Sequence, residues 1–162
     1  MNKEFLFLIC LILFIFTVSS VSAEDANQTV TQNTLSVAEG TFTELQYTIN
    51  NAENHSTIYL NKNYVYDGCG DGEGIIIGKD IAIDGNGHRV DGNHSTRIFL
   101  IDGANVSLRN IVFANGFVIG NGGALWASDC NLSIDNSSFV DNIADFGPAI
   151  LFYDISKDNR IS

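Results

Sequence analysis

The chain has 162 residues, with eight Lys and Arg against nineteen Asp and Glu, a formal net charge of −11. Its length is close to the ~150 residues typical of one domain, and 45% hydrophobic residues are too many for a disordered acidic polymer. The charge argues against a nucleic-acid partner and against electrostatic adsorption to anionic lipid, because both need clustered Lys and Arg. Fifteen Gly and frequent Asn, which tolerate left-handed backbone, indicate many tight corners between short strands.

The N-terminal residues 1–23 have the features of a secretory signal peptide. Phe5 to Val18 is apolar with one exception, and small residues follow at Val21-Ser22-Ala23. These fourteen residues would span about 21 Å as a helix, short of a ~30 Å hydrocarbon core. We therefore expect a cleaved signal rather than a membrane anchor, a secreted chain without a later transmembrane helix, and a flexible polar leader over residues 24–39.

Residues 40–56 contain the helix signal of the chain. Thr43 followed by Gln46 fits a capping box, and Leu45, Ile49 and Ala52 fall on one helical face. This pattern predicts a short amphipathic helix over roughly 44–53. Because so short a helix is not stable alone, we expect it to cap an apolar surface of the structure that follows.

From residue 57 onward the sequence repeats with a period near 25 residues. Ile81-Ala-Ile-Asp-Gly, Val106-Ser-Leu-Arg-Asn and Leu132-Ser-Ile-Asp-Asn begin 25 and then 26 residues apart. Each block has apolar residues first and third, a charge fourth, and Gly or Asn fifth, where a left-handed corner fits. Gly122-Gly-Ala-Leu recurs as Gly147-Pro-Ala-Ile after another 25 residues.

This period predicts an all-β fold, a parallel β-helix of about four to five coils over residues 57–162. Several short strands fit each coil, and each strand would pair with its copy ~4.8 Å away. Leucine-rich repeats have a similar period but need a consensus that is absent here. The residues expected in stacked interior rows are Ile81, Ile83, Val106, Leu108, Phe113, Leu132, Ile134 and Phe139.

Two cysteines remain after the predicted signal peptide, Cys69 and Cys130. The repeat places them more than two coils apart, whereas a disulfide needs Cα atoms within ~7 Å. We therefore expect two unpaired thiols that pack as small apolar groups.

Two motifs carry a resemblance to known families. Gly122-Gly123-Ala124-Leu125 and Phe139-Val-Asp-Asn142 match the paired GGA[ILV] and FxxN repeats of chlamydial polymorphic outer-membrane proteins. The order of Thr41-Phe-Thr-Glu-Leu, Tyr64-Val-Tyr and Ile81-Ala-Ile-Asp-Gly-Asn-Gly-His resembles adhesin-like proteins of methanogenic archaea. The resemblance covers nearly all of residues 41–155. It implies a secreted right-handed β-helix at the cell surface, with an adhesive role toward a glycan or protein.

The chain departs from that family in two respects. Pro148 stands where the second GGA[ILV] copy normally has Gly, which indicates a bulged or terminal strand. Family members are much longer, whereas this sequence stops at Ser162 without a capping element. We expect either a truncated, non-functional fragment or an open edge that pairs with another chain.

A catalytic alternative rests on Asp84, Arg109 and Asp135, which share one outward position on successive coils. An Arg flanked by two carboxylates would suit a polysaccharide-active enzyme, pectate-lyase-like or a glycosidase, or a remnant of one. The plainer interpretation is a surface ion-pair ladder, in which alternating charge removes repulsion between stacked strands. We therefore expect a non-catalytic binding protein.

Calcium is the only cofactor that the sequence suggests. Asp67, Asp71 and Glu73 lie on one glycine-rich loop and could supply oxygen ligands. Their spacing matches no known calcium repeat, and a solvated corner insertion explains the loop as well.

The sequence contains six Asn-x-Ser/Thr sequons, and Asn27, Asn54 and Asn93 are the glycosylation candidates. Asn105 and Asn131 occupy equivalent places one coil apart, where two glycans would crowd each other. Asn136 is expected instead to form an amide ladder with Asn110 along the corner.

Overall fold

A computed structural model describes residues 38–70, 72–153 and 160–161. The predicted signal peptide, residues 1–23, and the leader up to residue 37 lie outside the described residues. The other predictions about the fold concern the compact unit Glu39–Ser162.

One helix and fourteen short strands make up the described structure. The helix α1 is Phe42–Asn51. The strands are β1 Gly40–Thr41, β2 Thr57–Tyr59, β3 Tyr64–Val65, β4 Ile75–Ile77, β5 Ile81–Asp84, β6 Arg89–Asp91, β7 Phe99–Asp102, β8 Asn105–Arg109, β9 Val112–Ala114, β10 Leu125–Ser128, β11 Asn131–Asp135, β12 Ser138–Val140, β13 Ile150–Tyr153 and β14 Arg160–Ile161.

The strands form three parallel sheets that wind into a β-solenoid of about five turns. Sheet I has the order β1-β3-β6-β9-β12, sheet II the order β4-β7-β10-β13, and sheet III the order β2-β5-β8-β11-β14. After each of β3, β6 and β9 the chain enters sheet II, then sheet III, and returns to sheet I one coil further on. The predicted all-β parallel β-helix with a short N-terminal helix is therefore confirmed.

The register of the sheets reproduces the spacing of the sequence repeat. Ile81 pairs with Val106, and Val106 pairs with Leu132, in sheet III. In sheet II, Leu125 pairs with Ile150, as the repeated glycine motif predicts. A fixed register follows because a slip by one residue would turn every apolar side chain outward.

The core is a set of apolar columns that run along the solenoid. Seven of the eight predicted interior residues are buried; they are Ile81, Ile83, Val106, Leu108, Phe113, Leu132 and Ile134. Phe139 is the exception, since it is only partly buried and packs on the core from the last described coil of sheet I. Its ring stacks on that of Phe113 with centroids 4.9 Å apart.

Helix α1 takes the place of a sheet II strand in the first coil, since it connects β1 of sheet I to β2 of sheet III. Its buried face consists of Phe42, Leu45 and Ile49. The helix begins two residues earlier than predicted, because the N-cap is Thr41 and not Thr43. The Thr41 hydroxyl accepts a hydrogen bond from the Glu44 N–H at 3.1 Å, which satisfies one of the free donors of the first turn.

Two long-range contacts fix the helix on the solenoid. The Gln46 side-chain amide donates to the Ile76 carbonyl at 3.0 Å and accepts from the Ile76 N–H at 2.7 Å. It thereby replaces the peptide group that a neighbouring strand would offer to the edge of β4. At the other end of α1, Lys79 Nζ donates to the carbonyls of Asn50 and Ala52, which have no partner inside the helix.

The corners use Asn and Gly in different ways. Asn110 and Asn136 have left-handed backbone with φ of 56° and 44°, as the repeat predicts. Gly85, at the equivalent place, has no left-handed φ, and the left-handed residue there is Asn86, with φ 49°. Glycine is needed at 85 for space instead, because a Cβ there would lie 2.4 Å from the Asn110 carbonyl oxygen.

The two cysteines differ. Cys130 is buried in the core, as expected. Cys69 is disulfide-bonded, so the prediction of an unpaired thiol at this position was wrong.

Candidate functional site

The outer face of sheet III carries three rows of side chains along the solenoid. The first row is His55, Asp80, Asn105 and Asn131; the second is Thr57, Ala82, Ser107 and Ser133; the third is Tyr59, Asp84, Arg109 and Asp135. Because the register is fixed, neighbours in a row belong to successive coils ~4.8 Å apart. One sheet therefore displays an amide and acid row, a row of short side chains, and a charged row.

The first row is held together by side-chain hydrogen bonds. Both Asp80 carboxylate oxygens accept from Asn105, one from its N–H and one from its Nδ2, each at 2.7 Å. The Asn131 Nδ2 donates to the Asn105 Oδ1 at 2.5 Å. The Asn54 Oδ1 accepts from the Asp80 N–H at 3.0 Å. These bonds fix the side chains of the row before any ligand arrives.

A groove of about 360 Å³ crosses β5, β8 and β11 beside this row. Its lining includes His55, Asp80, Asn105 and Asn131 from the first row, Ala82, Ser107 and Ser133 from the second, and the edges of Ile81, Val106 and Leu132. The short second-row side chains leave the space, and the longer first-row side chains border it. The groove is therefore a direct product of the small residue in the middle of each repeated block.

The three residues of the catalytic alternative share one row, as predicted: Asp84 pairs in register with Arg109, and Arg109 with Asp135. The Arg109 Nε donates to the Asp84 Oδ2 at 2.9 Å. Asp84 lies on the outer face in register with Arg109, but only 7% of it is exposed. Asn86, Arg109 and Asn110 close over its carboxylate.

The environment of Asp84 holds it as an anion. The Asn110 Nδ2 donates to its Oδ1 at 2.9 Å, and the Asn86 N–H donates to the same oxygen at 3.0 Å. The pKa of Asp84 is lowered, chiefly by the hydrogen bond from Asn110, then by that from Asn86, with Arg109 adding to both. A carboxylate that is so well satisfied is a weak proton acceptor. None of Asp84, Arg109 and Asp135 lines the groove.

The structure explains the repeat motifs by packing. Gly122 has a left-handed φ of 68°, and a Cβ on Gly123 would lie 2.4 Å from the Pro148 carbonyl oxygen. Ala124 and Leu125 are buried. The Asn142 side chain accepts from the Gly116 N–H at 2.8 Å and donates to the Phe113 carbonyl at 3.1 Å. With Phe139 stacked on Phe113, these motif residues build the solenoid and do not face the groove.

The calcium prediction for the glycine-rich loop stays a prediction, because one of its three ligands lies outside the described residues. Asp67 is exposed, and Asp71 lies outside them. The Glu73 Oε2 accepts from the Arg97 guanidinium at 2.9 Å. In the part of the chain that the structure describes, no three His, Cys, Asp or Glu side chains come close enough to bind a metal together.

Arg97 is a structural residue that the sequence analysis missed. It is buried, donates through Nε to the Gly122 carbonyl at 2.9 Å and through a terminal nitrogen to the Asn121 carbonyl at 2.8 Å, and lies 5.7 Å from the centre of the Trp126 ring. It thus joins the Glu73 loop to the next coil. The available signal was a lone charge directly before the apolar run Ile98-Phe-Leu-Ile.

The sequon side chains fall into two groups. The Nδ2 atoms of Asn105, Asn131 and Asn136 donate to other side chains, and the Asn136–Asn110 bond of 2.7 Å confirms the predicted corner ladder. Asn54 and Asn93 are exposed. Asn27 lies outside the described residues. Glycosylation at Asn54 and Asn93 therefore stays a prediction that the geometry permits.

The outer face of sheet II contrasts with that of sheet III. Its corresponding row is apolar and consists of Ile76, Leu100, Trp126 and Leu151. The rows of amide, acid and hydroxyl side chains beside the groove are therefore a property of sheet III and not of sheet II.

No helix among the described residues is long and apolar enough to cross a membrane. Comparison of the chain with protein-family models, curated proteins and solved structures found no match.

Proposed function

We propose that this chain is a secreted or cell-surface β-helix that acts as a non-catalytic, adhesin-like binding module. The observation that carries the proposal is the groove of sheet III, whose lining side chains repeat on three successive coils and are fixed by hydrogen bonds. The resemblance of the repeats to adhesin-like proteins of methanogenic archaea supports the same role. The acidic charge of the chain favours a cell-surface glycan or protein over nucleic acid as the partner.

The preorganised first row supports binding in particular. A side chain that is already held in one conformation loses little entropy when a ligand arrives, so more of the contact energy appears as affinity. Asp80, Asn105 and Asn131 meet this condition through their mutual hydrogen bonds. A repeated, rigid surface of this kind suits a ligand that is itself repetitive or extended.

The second candidate function is a polysaccharide-active enzyme, which the register of Asp84, Arg109 and Asp135 favours. The lowered pKa of Asp84 and its burial make it a poor general base, and the three residues lie off the groove. Their arrangement fits a charge ladder better. Turnover of a polysaccharide that disappears in Arg109→Ala would establish the enzyme and overturn the non-catalytic proposal.

A groove-blocking variant tests the binding function. The purified protein is applied to glycan arrays, protein arrays and intact cells, together with Ser107→Tyr and the matched control Ser138→Tyr. Both serines are exposed strand residues, but Ser138 lies on sheet I, away from the groove. We expect binding that Ser107→Tyr abolishes and Ser138→Tyr leaves intact. Binding that is absent, or equal in all three proteins, would contradict the proposal.

A further inference from the structure

We infer that the groove of sheet III binds a neutral glycan chain that lies along the solenoid axis and crosses β5, β8 and β11, and that it rejects acidic polysaccharides. This inference rests on the proposed binding function and names the class of its ligand. A neutral ligand also differs from the acidic, pectin-like substrate that a pectate-lyase-like enzyme would require.

The dimensions of the groove favour a short stretch of an extended polymer. A volume of about 360 Å³ is near the lower end of the range of ligand sites, roughly 300–1,000 Å³. The lining residues of the groove come from successive coils, so its chemistry repeats every ~4.8 Å, about the length of one sugar ring. A linear glycan can therefore present an equivalent group to each coil, which a compact small molecule cannot.

The chemistry of the lining matches hydroxyl groups. The Ser107 and Ser133 hydroxyls can each donate and accept, as sugar hydroxyls do. The Ala82 methyl and the Cβ groups of the serines give the floor an apolar component that suits the C–H face of a sugar ring. Tyr59, 62% exposed at the start of the third row, adds an aromatic surface at the edge of the same face.

The charges around the groove select against anions. Asp80 lines the groove, and Asp84 and Asp135 stand in the row beside it. Two permanent cations occupy these rows in the described part of the chain. Arg109 already binds Asp84 through its Nε, and Arg160 pairs in register with Ser133 on β14, one coil beyond β11. A polyuronate that crosses β5 would bring a carboxylate toward Asp80, which lies three strands away from Arg160. The net charge of −11 adds long-range repulsion.

Titration calorimetry with defined oligosaccharides tests the ligand class. The probes are cellohexaose, mannohexaose and chitohexaose as neutral chains, and hexagalacturonate as the acidic chain. We expect at least one neutral chain to bind at least tenfold more tightly than hexagalacturonate at low salt. That binding should be lost in Ser107→Tyr and kept in Ser138→Tyr. High salt should narrow the difference between neutral and acidic chains, because it screens the repulsion.

Asp80→Asn isolates the role of charge. Asparagine already occupies the same row in the next two coils, at 105 and 131, so the substitution continues an existing ladder. We expect the variant to keep its affinity for the neutral chain and to bind hexagalacturonate severalfold more tightly than the native protein does. An unchanged preference would show that charge does not set the ligand class.

The outcomes separate this inference from the proposed function. Tight binding of hexagalacturonate, or groove-dependent binding to proteins alone, would overturn the neutral-glycan inference and leave the binding function standing. Binding to no probe, no cell and no array component would overturn both. Neutral-chain binding that Ser107→Tyr does not affect would place the glycan elsewhere and overturn the assignment to the groove.

Discussion

The first coil and the last described coil of the solenoid differ in how their apolar residues and strand edges are covered. At the N-terminal end, α1 replaces a strand of sheet II, and the Gln46 amide binds both the N–H and the carbonyl of Ile76 on edge strand β4. In the last described coil, Phe139, Ile150 and Phe152 are only partly buried, whereas the residues that they pair with one coil earlier are buried. Those partners are Phe113, Leu125 and Ala127.

This difference shows how a coil of the solenoid is stabilised. An interior coil buries its apolar residues against a neighbour on each side, and each strand shares its hydrogen bonds with two others. A helix with one well-placed amide can supply both kinds of contact at an end. Where neither a helix nor a described coil follows, the same residue types stay half exposed. The same substitution should therefore lower the free energy of unfolding by different amounts in an interior coil and in the last described coil.

The largest expected loss of stability comes from removing an aromatic ring that is buried in the core. Phe113 and Phe139 pair in register in sheet I and stack on each other, but only Phe113 is fully buried. Phe113→Ala should lower the free energy of unfolding by about 3–5 kcal/mol, the range for a buried aromatic residue. Phe139→Ala should lower the free energy of unfolding by clearly less, because the Phe139 ring buries less apolar surface in the folded protein. Chemical denaturation of both variants with the native protein measures the difference.

The comparison would fail if the two variants were equally destabilised. Equal costs would mean that a further coil or a second molecule covers Phe139 in solution. Sedimentation velocity on the native protein would then distinguish the second molecule from a cover within the same chain. A smaller cost for Phe139→Ala at every protein concentration would support the open coil.

Breaking the N-terminal cap should have the next largest effect. Gln46→Ala removes two hydrogen bonds to Ile76, and at about 0.5–1.5 kcal/mol each it should cost about 1–3 kcal/mol. Tyr47→Ala is the control, because this neighbour on α1 is exposed. Thermal unfolding should show a lower midpoint for Gln46→Ala and little change for Tyr47→Ala. Equal midpoints for the two variants would show that the amide does not secure β4.

A pH-dependent effect is expected along the corner ladder. This ladder runs from Asp84 toward the last described coil through Asn110 and Asn136. The pKa of Asp84 is lowered in the folded protein, so its contribution to stability is complete above the unfolded-state pKa of about 3.9. The contribution is lost as the pH falls through the folded value, because the unfolded chain then binds the proton more readily.

Asp84→Asn should therefore destabilise the protein at neutral pH and weaken the acid dependence of its stability. Denaturation midpoints between pH 2 and pH 7 measure both effects. The control Asp102→Asn removes the same charge from an exposed position. If both variants kept the acid dependence of the native protein, the anchoring role of Asp84 would be wrong.

The period, the sheet register and most of the interior columns could be predicted from the sequence, because each depends on residue types at fixed offsets. Asp84 shows where that reasoning stops: its place in the row was predicted correctly, but its burial depends on Asn86 and Asn110 folding over it. The contact of Gln46 with Ile76 spans thirty residues and leaves no local pattern. The groove likewise follows from the sizes of Ala82, Ser107 and Ser133 only once the sheet is assembled.

The smallest expected effect concerns Pro148, which lies in the last described coil. Its counterpart one coil earlier, Gly123, donates its N–H to the Gly147 carbonyl of the following coil at 3.2 Å. By the same register, the nitrogen of Pro148 faces away from the preceding coil, so the missing N–H costs no bond to it. The Pro148 carbonyl still accepts from the Ala124 N–H at 3.0 Å.

Pro148→Ala should therefore lower stability by only about 0.5 kcal/mol, through the greater freedom of the unfolded chain. Gly123→Pro at the interior counterpart should cost several times more, since it removes a ladder bond and places atoms against the Pro148 carbonyl. The alanine also restores an N–H on the side of the last described coil that faces away from Gly123, so sedimentation velocity should show more self-association than in the native protein. A large loss of stability in Pro148→Ala would mean that the proline itself holds the last coil, and the two ends would then be less different than their contacts indicate.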